Sequence, residues 1–292
     1  MSGIADQDMP GFYRSADAAS LQGQKWTLRL NRTRLGGSIL AAIGGALTWS
    51  AGSFNVWGII ALLGFAAALA AEITLLVLRP EQEWHSGRAL AESAKTLAWR
   101  YAVGGDPFFS TMSTAAAHAE MRDRLTKIAE KVGDRITIDA DDPDITAAME
   151  ANRGSSFSDR KSAYIEGRTK DQRRWYANKA ATAKKRAKGW QAGLILGEVG
   201  GLVVASGRAF SLWQVDLLGV VAAFVAAGAA WLSLKQYSAL ASAYTTAANE
   251  LALQIGTLTD VSETEWPQAV ADAEEAISRE HTMWLATHAA NL

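Results

Sequence analysis

The chain has 292 residues, of which 49% are hydrophobic, 29 are Lys or Arg and 30 are Asp or Glu. It contains no cysteine, which excludes disulfides, zinc-thiolate sites and thiol catalysis. The net charge of −1 averages strongly charged and strongly apolar segments, so it does not identify a partner. The four histidines have no metal-ligand spacing, and we expect neither a metal site nor a cofactor.

The N-terminal segment is polar. We expect residues 1–20 to be flexible, and a short basic helix to begin at Leu21 and to carry Trp26, Arg32 and Arg34 to a membrane surface. Because this polar segment precedes the first apolar run, that run does not sit where a cleavable signal peptide would. It should be retained as an anchor.

Two apolar runs follow, at residues 35–54 and 56–78, and Glu72 is their only charged residue. A bilayer core of ~30 Å is crossed by about 20 apolar residues in a helix, and each run has that length. A buried helical pair in a soluble domain is the alternative, but an amphipathic soluble helix would keep a polar stripe. The runs therefore predict a transmembrane hairpin, with its tip near Ser53 outside because basic residues flank both ends.

Three segments connect this hairpin to the second half of the chain. A helix with an apolar stripe is predicted from Glu83, and Gly104 and Gly105 end it. Another helix is predicted at residues 110–131. Residues 133–157, which are rich in Asp, are predicted to be a connector.

A second basic helix is predicted from about Ser158. It continues into a third apolar run at residues 189–206, and a fourth run spans residues 212–234. Basic helices can bind nucleic acid, but this one leads directly into an apolar run, so we expect contact with anionic headgroups and no nucleic acid. Each such charge near a membrane surface contributes ~1 kcal/mol. The residues assigned to headgroup contact are Lys184, Lys185, Arg186, Lys188, Arg32 and Arg34.

Two amphipathic helices close the chain. The first carries Tyr237, Leu251 and other apolar residues at steps of three and four, and the second opens with Ser262 and Glu265 in the capping-box spacing. These stripes predict the core of a helical bundle. The predicted fold class is an all-α integral membrane protein with two transmembrane helical hairpins, four spans in total, and a cytoplasmic helical bundle. Both termini are expected on the cytoplasmic side.

The two halves repeat one plan of basic helix with Trp, hairpin and amphipathic helix, which indicates an internal duplication. Short motifs occur in the same order around each hairpin. In the first half they are Ala91, Glu92, Ser93, Ala94, Lys95, Thr96, Leu97, Ala98, Trp99, Arg100 and Tyr101, then Asp106, Pro107 and Phe108. In the second half they are Tyr164, Arg168, Asp171, Gln172, Trp175, Tyr176, Lys179, Ala180, Glu280, His281 and Trp284.

With these motifs the chain resembles two tandem copies of the SLATT family, the two-transmembrane effector domains of bacterial conflict systems. Residues 21–132 and 158–292 would form the two domains. The resemblance implies an effector of the bacterial inner membrane that opens a pore or disrupts the membrane in anti-phage defence. The signal in such systems often comes from a nucleotide-producing enzyme or a nucleotide-sensing domain. This chain has no Walker sequence, so another protein, a ligand held by the bundle or the membrane would have to activate it.

Two acidic residues lie inside predicted spans. At 1.5 Å per residue, Glu198 is roughly 13 Å and Glu72 roughly 10 Å from the cytoplasmic boundary. An ionisable group inside a span indicates function, because its exposure to lipid is costly. The alternative is a protonated, hydrogen-bonded packing residue. We favour a pore- or cavity-lining role for Glu198, and for Glu72 both roles stay open.

Small residues recur at every fourth position of the third and fourth runs, and such ridges let helix backbones approach closely in lipid. The pattern does not distinguish packing within one chain from packing between subunits. The ridge residues are Gly193, Gly197 and Gly201 in the third run and Gly219, Ala223 and Ala227 in the fourth.

Three functions compete. The leading hypothesis is a non-enzymatic, homo-oligomeric effector that forms a regulated pore, since four spans are too few to enclose a wide channel in one chain. The second is a non-conducting membrane scaffold whose cytoplasmic bundle recruits a partner. An integral-membrane enzyme is the third, but no nucleophile, base and acid set appears. The expected partners are the lipid bilayer, further copies of the chain and a nucleotide-signalling or sensor protein.

Overall fold

The computed structural model describes residues 4–47, 50–51, 54–130, 137, 142–212 and 217–289, and over these residues the chain is almost entirely helical. The α-helices are α1 (Gly11–Ala46), α2 (Val56–Leu78), α3 (Pro80–Val103), α4 (Thr114–Glu130), α5 (Ala147–Arg153), α6 (Phe157–Tyr164), α7 (Asp171–Ala209), α8 (Leu218–Lys235), α9 (Tyr237–Asp260) and α10 (Trp266–Ala289).

Four shorter elements complete the described chain. A 3-10 turn at Asp6–Asp8 precedes α1, and a π-helix at Ile165–Lys170 joins α6 to α7. Strands β1 (Ser50–Ala51) and β2 (Phe54–Asn55) pair antiparallel between α1 and α2. The predicted tip residue, Ser53, lies outside the described residues.

The chain divides into two compact units. We call the first the core unit; it comprises Met1–Gly23, Glu81–Ala180 and Ser242–Leu292. We call the second the apolar-helix unit; it comprises Gln24–Pro80 and Ala181–Ala241.

The core unit is built around large buried aromatic residues. Trp99 and Trp266 are each 1% exposed, and the fully buried Tyr164 packs edge-on against both, with ring centroids 5.9 and 5.7 Å away. Each such side chain removes on the order of 150–250 Å² from water. The indole of Trp266 also donates a hydrogen bond of 2.8 Å to the carbonyl of Val103. These contacts join α3, α6 and α10 around one core.

The N-terminal segment differs from our expectation that residues 1–20 are flexible. Met9, Phe12 and Ala16 are buried at helical spacing, and α1 already includes the last two. At Gly87 of α3 the helices approach so closely that a Cβ would lie 2.8 Å from the carbonyl oxygen of Ala16. The described part of the segment forms a helix because its few apolar residues share one helical face, which packs on α3.

The predicted connector, residues 133–157, is also more structured than expected where the structure describes it. It contains α5, on which Met149 is fully buried. The guanidinium of Arg153 donates to the carbonyls of Tyr101 and Phe108 at 3.0 and 2.8 Å. These bonds satisfy carbonyls at and beyond the end of α3, so α5 is part of the core unit rather than a linker.

The two C-terminal helices form as predicted. The carboxylate of Glu265 accepts hydrogen bonds from the backbone N–H and the hydroxyl of Ser262, at 3.3 and 2.6 Å, at the start of α10. Leu251 of α9 is buried in one cluster with Ile277 of α10, and Val270 is buried in the main core. The apolar stripes are therefore core positions, as expected for helix packing.

Candidate functional site

Three helices of the described chain are long and apolar enough to cross a membrane. The first is α2 (Val56–Leu78). The second is the helical stretch Phe157–Ala209, which comprises α6, the π-helix and α7. The third is the helical stretch Leu218–Asp260, which comprises α8 and α9. In the most apolar 18 residues of each, only 11%, 6% and 0%, respectively, is buried within the described chain. Exposed apolar surface of this extent is costly in water, and lipid removes that cost.

The predicted first span, residues 35–54, is not among these three helices. α1 ends at Ala46, so the helical part of this run is residues 35–46, which reach only ~18 Å at 1.5 Å per residue. A bilayer core is ~30 Å thick. The second, third and fourth predicted spans match candidate helices, and a total of four spans stays a prediction.

α1 and α2 contact each other through glycines outside the predicted ridges. A Cβ on Gly37 would lie 2.5 Å from the carbonyl oxygen of Gly64, and one on Gly44 would lie 2.5 Å from that of Trp57. The two backbones are therefore too close for any side chain larger than hydrogen at Gly37 or Gly44. Residues seven apart share a helix face, so the spacing of Gly37 and Gly44 was the sequence signal for this contact.

Glu72 has a partner on α1. Nη1 of Arg34 donates to Oε2 of Glu72 at 2.8 Å, and Nη2 donates to Oδ1 of Asn31 at 3.0 Å. The ion pair supplies a counter-charge to a carboxylate in an apolar run and joins α1 to α2. It favours the packing role for Glu72, and it gives Arg34 a partner within the chain besides any headgroup.

Two residues of the predicted ridge on α7 face α8. A Cβ on Gly197 would lie 2.9 Å from Cγ2 of Val225, and one on Gly201 would lie 3.5 Å from Cγ1 of Val221. These glycines let α7 and α8 pack closely within one chain. Such a contact is expected between neighbouring apolar helices whose interface carries small residues.

The other ridge residues are placed differently. A Cβ on Gly193 of α7 or on Gly219 of α8 would meet no described atom within 4 Å. Ala223 and Ala227 of α8 are partly buried. The ridge on α7 therefore divides into a part that faces α8 and a position, Gly193, that faces open space.

Glu198 lies on an exposed face of α7, within the third apolar run. Its neighbours on that face are apolar and exposed: Ile195 by 59% and Leu202 by 69%. The carboxylate is thus surrounded by apolar surface that the described chain does not cover. In lipid this is a costly place for an ionisable group.

Two of the basic residues assigned to headgroups, Arg32 and Arg186, lie near aromatic rings. Lys184, Lys185, Arg186 and Lys188 are exposed on α7. The guanidinium of Arg186 is 6.0 Å from the ring of Tyr237, and that of Arg32 is 5.4 Å from the ring of Trp231. Cations beside aromatic rings are typical of the membrane interface.

A buried polar cluster lies in the core unit. Arg168 is 1% exposed and donates to both carboxylate oxygens of Glu274, from Nε at 2.9 Å and from Nη2 at 2.8 Å. Tyr164 and Thr96 donate to the same carboxylate, each at 2.9 Å. Burial, and then the charge of Glu274, raise the pKa of Tyr164, so its hydroxyl remains a donor.

Sequence reasoning identified Tyr164, Thr96 and Arg168 through motifs but missed Glu274. A glutamate next to another glutamate on an amphipathic helix is usually a surface residue. Its apolar neighbours at i−4 and i+3, Val270 and Ile277, were the signal that Glu274 lies on the buried face of α10.

Two family models match this chain. Residues 10–161 match "SMODS and SLOG-associating 2TM effector domain 3", and residues 164–284 match "SMODS and SLOG-associating 2TM effector domain 1". Together they span most of the sequence. The chain belongs to the SLATT family. No curated protein and no solved structure matches it significantly.

The two SLATT domains stand in tandem, as the resemblance implied, and each half matches a different model of the family. The first match is wider than the predicted residues 21–132. It includes the buried start of α1 and all of α5, in agreement with their place in the core unit. The side chains of Glu280, His281 and Trp284 lie outside those that the structure describes.

The buried cluster connects the two SLATT domains. Thr96 belongs to the first match, and Tyr164, Arg168 and Glu274 belong to the second. SLATT domains are described as two-transmembrane effector domains, and the apolar helices of this chain likewise indicate a membrane protein.

Proposed function

We propose that this SLATT protein is a non-enzymatic effector of the bacterial inner membrane that assembles into a homo-oligomeric pore. Its role would be in an anti-phage or related conflict system, with activation by a nucleotide signal or a partner protein. The family description as an effector that associates with SMODS and SLOG supports the effector role.

The observation that carries the pore is the exposed carboxylate of Glu198 in an apolar helix. Within one chain it has apolar, exposed neighbours, whereas Glu72 is paired with Arg34. A carboxylate at this depth is stable where it faces water or a hydrogen-bonding neighbour. Assembly around an axis would provide such a setting, because copies of Glu198 would face one another in a ring. A ring of carboxylates favours cations.

The proposed topology has four spans, with both termini on the cytoplasmic side. It is supported by the exposed basic residues Lys184 and Lys185 just before the third run, and by Arg79 after α2. The tip of the second hairpin, near Arg208, would lie outside. A cysteine at Arg208 should react with an impermeant thiol reagent in intact cells.

The proposal is tested by inducible expression in bacteria together with the neighbouring genes, so that an activating partner is supplied. A potential-sensitive dye reports depolarisation. We expect the parent to depolarise the membrane and Glu198→Gln, which keeps size but removes charge, to do so more weakly while its oligomeric mass is unchanged. Glu250→Gln, the same change at an exposed position of α9, is the control and should behave like the parent.

Two outcomes would contradict the proposal in different ways. If Glu198→Gln and Glu198→Leu both depolarise cells like the parent, Glu198 does not line the path. If the parent is produced in the membrane and never depolarises it, the non-conducting scaffold becomes the better function.

A further inference from the structure

A cavity of about 490 Å³ opens in the core unit where several segments meet. Its wall includes the N-terminal turn with Asp6, the α3 residues Lys95 and Trp99, and Arg168 of the π-helix. The α3 residues belong to the first SLATT domain, and Arg168 belongs to the second. An occupant would therefore contact both domains at once.

Two residues that line the cavity each have one buried donor without an acceptor among the described residues. Arg168 uses Nε and Nη2 to bind Glu274, but its Nη1 has no hydrogen-bond partner among the described residues. The indole nitrogen of Trp99, a residue 1% exposed, likewise has none within the described part of the chain. A buried donor without an acceptor costs about 1–3 kcal/mol, and native proteins rarely keep one without a reason.

The charged groups of the wall are largely paired among themselves. Nζ of Lys95 donates to Asp6 at 2.7 Å, and Lys170 pairs with the wall residue Glu166 at 2.5 Å. Asp171 and Arg174 add one charge of each sign. Asp6 and Glu166 are thus already engaged, and neither donates nor accepts a hydrogen bond with Trp99 or Arg168 among the described residues.

The donor set defines the chemistry of an occupant. A guanidinium N–H and an indole N–H both donate, and the guanidinium fork is shaped for carboxylate and phosphate oxygens. The volume lies within the range of small-molecule sites. The wall is mostly polar, which suits a small polar molecule rather than an acyl chain. Arg168 also lies on a π-helix, an irregularity often found at functional sites.

We propose that this cavity binds a soluble small molecule through a phosphate or carboxylate group, whose oxygens accept hydrogen bonds from Nη1 of Arg168 and the indole nitrogen of Trp99. The ligand completes the hydrogen bonding of two buried donors and bridges the tandem domains. This site is separate from Glu198, and binding there does not depend on pore formation.

The test uses the full chain purified in a maltoside detergent, which carries neither phosphate nor carboxylate. Thermal unfolding is followed with inorganic phosphate, acetate or chloride at equal ionic strength, and with phosphatidic acid in mixed micelles. We expect phosphate or acetate, but not chloride, to raise Tm with saturation, since a ligand that binds the native state stabilises it. Comparison of phosphate with acetate identifies the preferred oxyanion.

Trp99→Phe is the decisive variant, because it removes the indole N–H and keeps an aromatic ring in the core. We expect its apparent affinity for the anion to fall about tenfold, the effect of one hydrogen bond to a charged group. Two control variants, Arg122→Gln on the exposed face of α4 and Lys185→Gln on α7, should keep the parent's response.

Several results would overturn the proposal. In one, the parent shows no anion-specific shift; in another, Trp99→Phe responds like the parent. A response lost in Lys185→Gln would place the anion at the basic residues of α7 instead. Stabilisation by phosphatidic acid alone would exclude a soluble ligand.

Discussion

At the scale of single residues, the Glu274 carboxylate accepts four side-chain hydrogen bonds inside the core unit. It is fully buried and accepts hydrogen bonds from Arg168, Tyr164 and Thr96. Such a pair gains little over a well-packed apolar pair, yet removal of one partner leaves a buried charge without compensation. The cluster therefore makes the packing of α3, α6 and α10 depend on all its members.

We predict that Glu274→Gln destabilises the protein by about 3–5 kcal/mol, because it leaves the Arg168 guanidinium buried without a counter-charge. Thermal unfolding in detergent should show a clear fall in Tm. Glu275→Gln, at the next and exposed position, is the matched control and should leave Tm nearly unchanged. Equal effects of the two variants would mean that the buried ion pair does not stabilise the fold.

The carboxyl group of Asp17 should make the folding stability depend on pH. Burial, and then the charge of Asp6, raise the pKa of its carboxyl above the ordinary value of 3.8. The folded state thus favours the protonated form, so the stability contributed by Asp17 is greatest below pH 3.8 and is lost as the pH rises through the raised pKa.

We therefore expect Asp17→Asn to raise Tm at neutral pH and to lose this advantage as the pH falls towards 3.8. Thermal unfolding over this range checks the sign. Asp144→Asn, at an exposed position, serves as the control for removal of one negative charge. A stabilisation by Asp17→Asn that grows towards acid pH would contradict the assignment.

At the scale of elements, long periodic stripes made the helices predictable, and their contacts were harder to read. The capping box at Ser262 and the buried stripe of α10 follow directly from local sequence. The start of α1 was missed because the buried residues Met9, Phe12 and Ala16 lie in a polar segment and pack on α3, a tertiary partner. Glu274 was missed for the same kind of reason, since its burial depends on elements distant in sequence.

The glycine contact between α1 and α2 gives a prediction with an internal control. Gly37→Leu should force the two helices apart, because a Cβ there would lie 2.5 Å from the carbonyl oxygen of Gly64. Gly36→Leu introduces the same side chain one position away, where a Cβ meets nothing within 4 Å.

We expect Gly37→Leu to lower Tm in detergent and Gly36→Leu to leave it similar or slightly raised, since glycine is a poor helix former. If both variants unfold at the same temperature, α1 and α2 do not pack through Gly37.

At the scale of the whole molecule, the ridge on α7 separates packing within a chain from packing between chains. Gly197 faces Val225 of the same chain, whereas Gly193 meets no described atom. We expect Gly197→Leu to lower Tm with the oligomeric mass unchanged, and Gly193→Leu to reduce that mass, as measured by light scattering in detergent. An unchanged mass in Gly193→Leu would remove Gly193 from any subunit contact.

The tandem SLATT architecture was predictable from sequence because motifs and apolar runs repeat in order, and two family matches confirm it. Subunit number and activation were not predictable, since they depend on contacts with molecules beyond this chain. The exposed Glu198 is the feature of the single chain that points most directly to assembly.

The proposed function requires that the assembled protein conducts ions past Glu198. Purified protein in a planar bilayer, with unequal salt on the two sides and the activating partner present, gives the reversal potential directly. We predict a conductance whose reversal potential lies on the cation-selective side and moves towards zero in Glu198→Gln. A parent protein that inserts and assembles but conducts no ions, or one whose selectivity is unchanged by Glu198→Gln, would contradict the account.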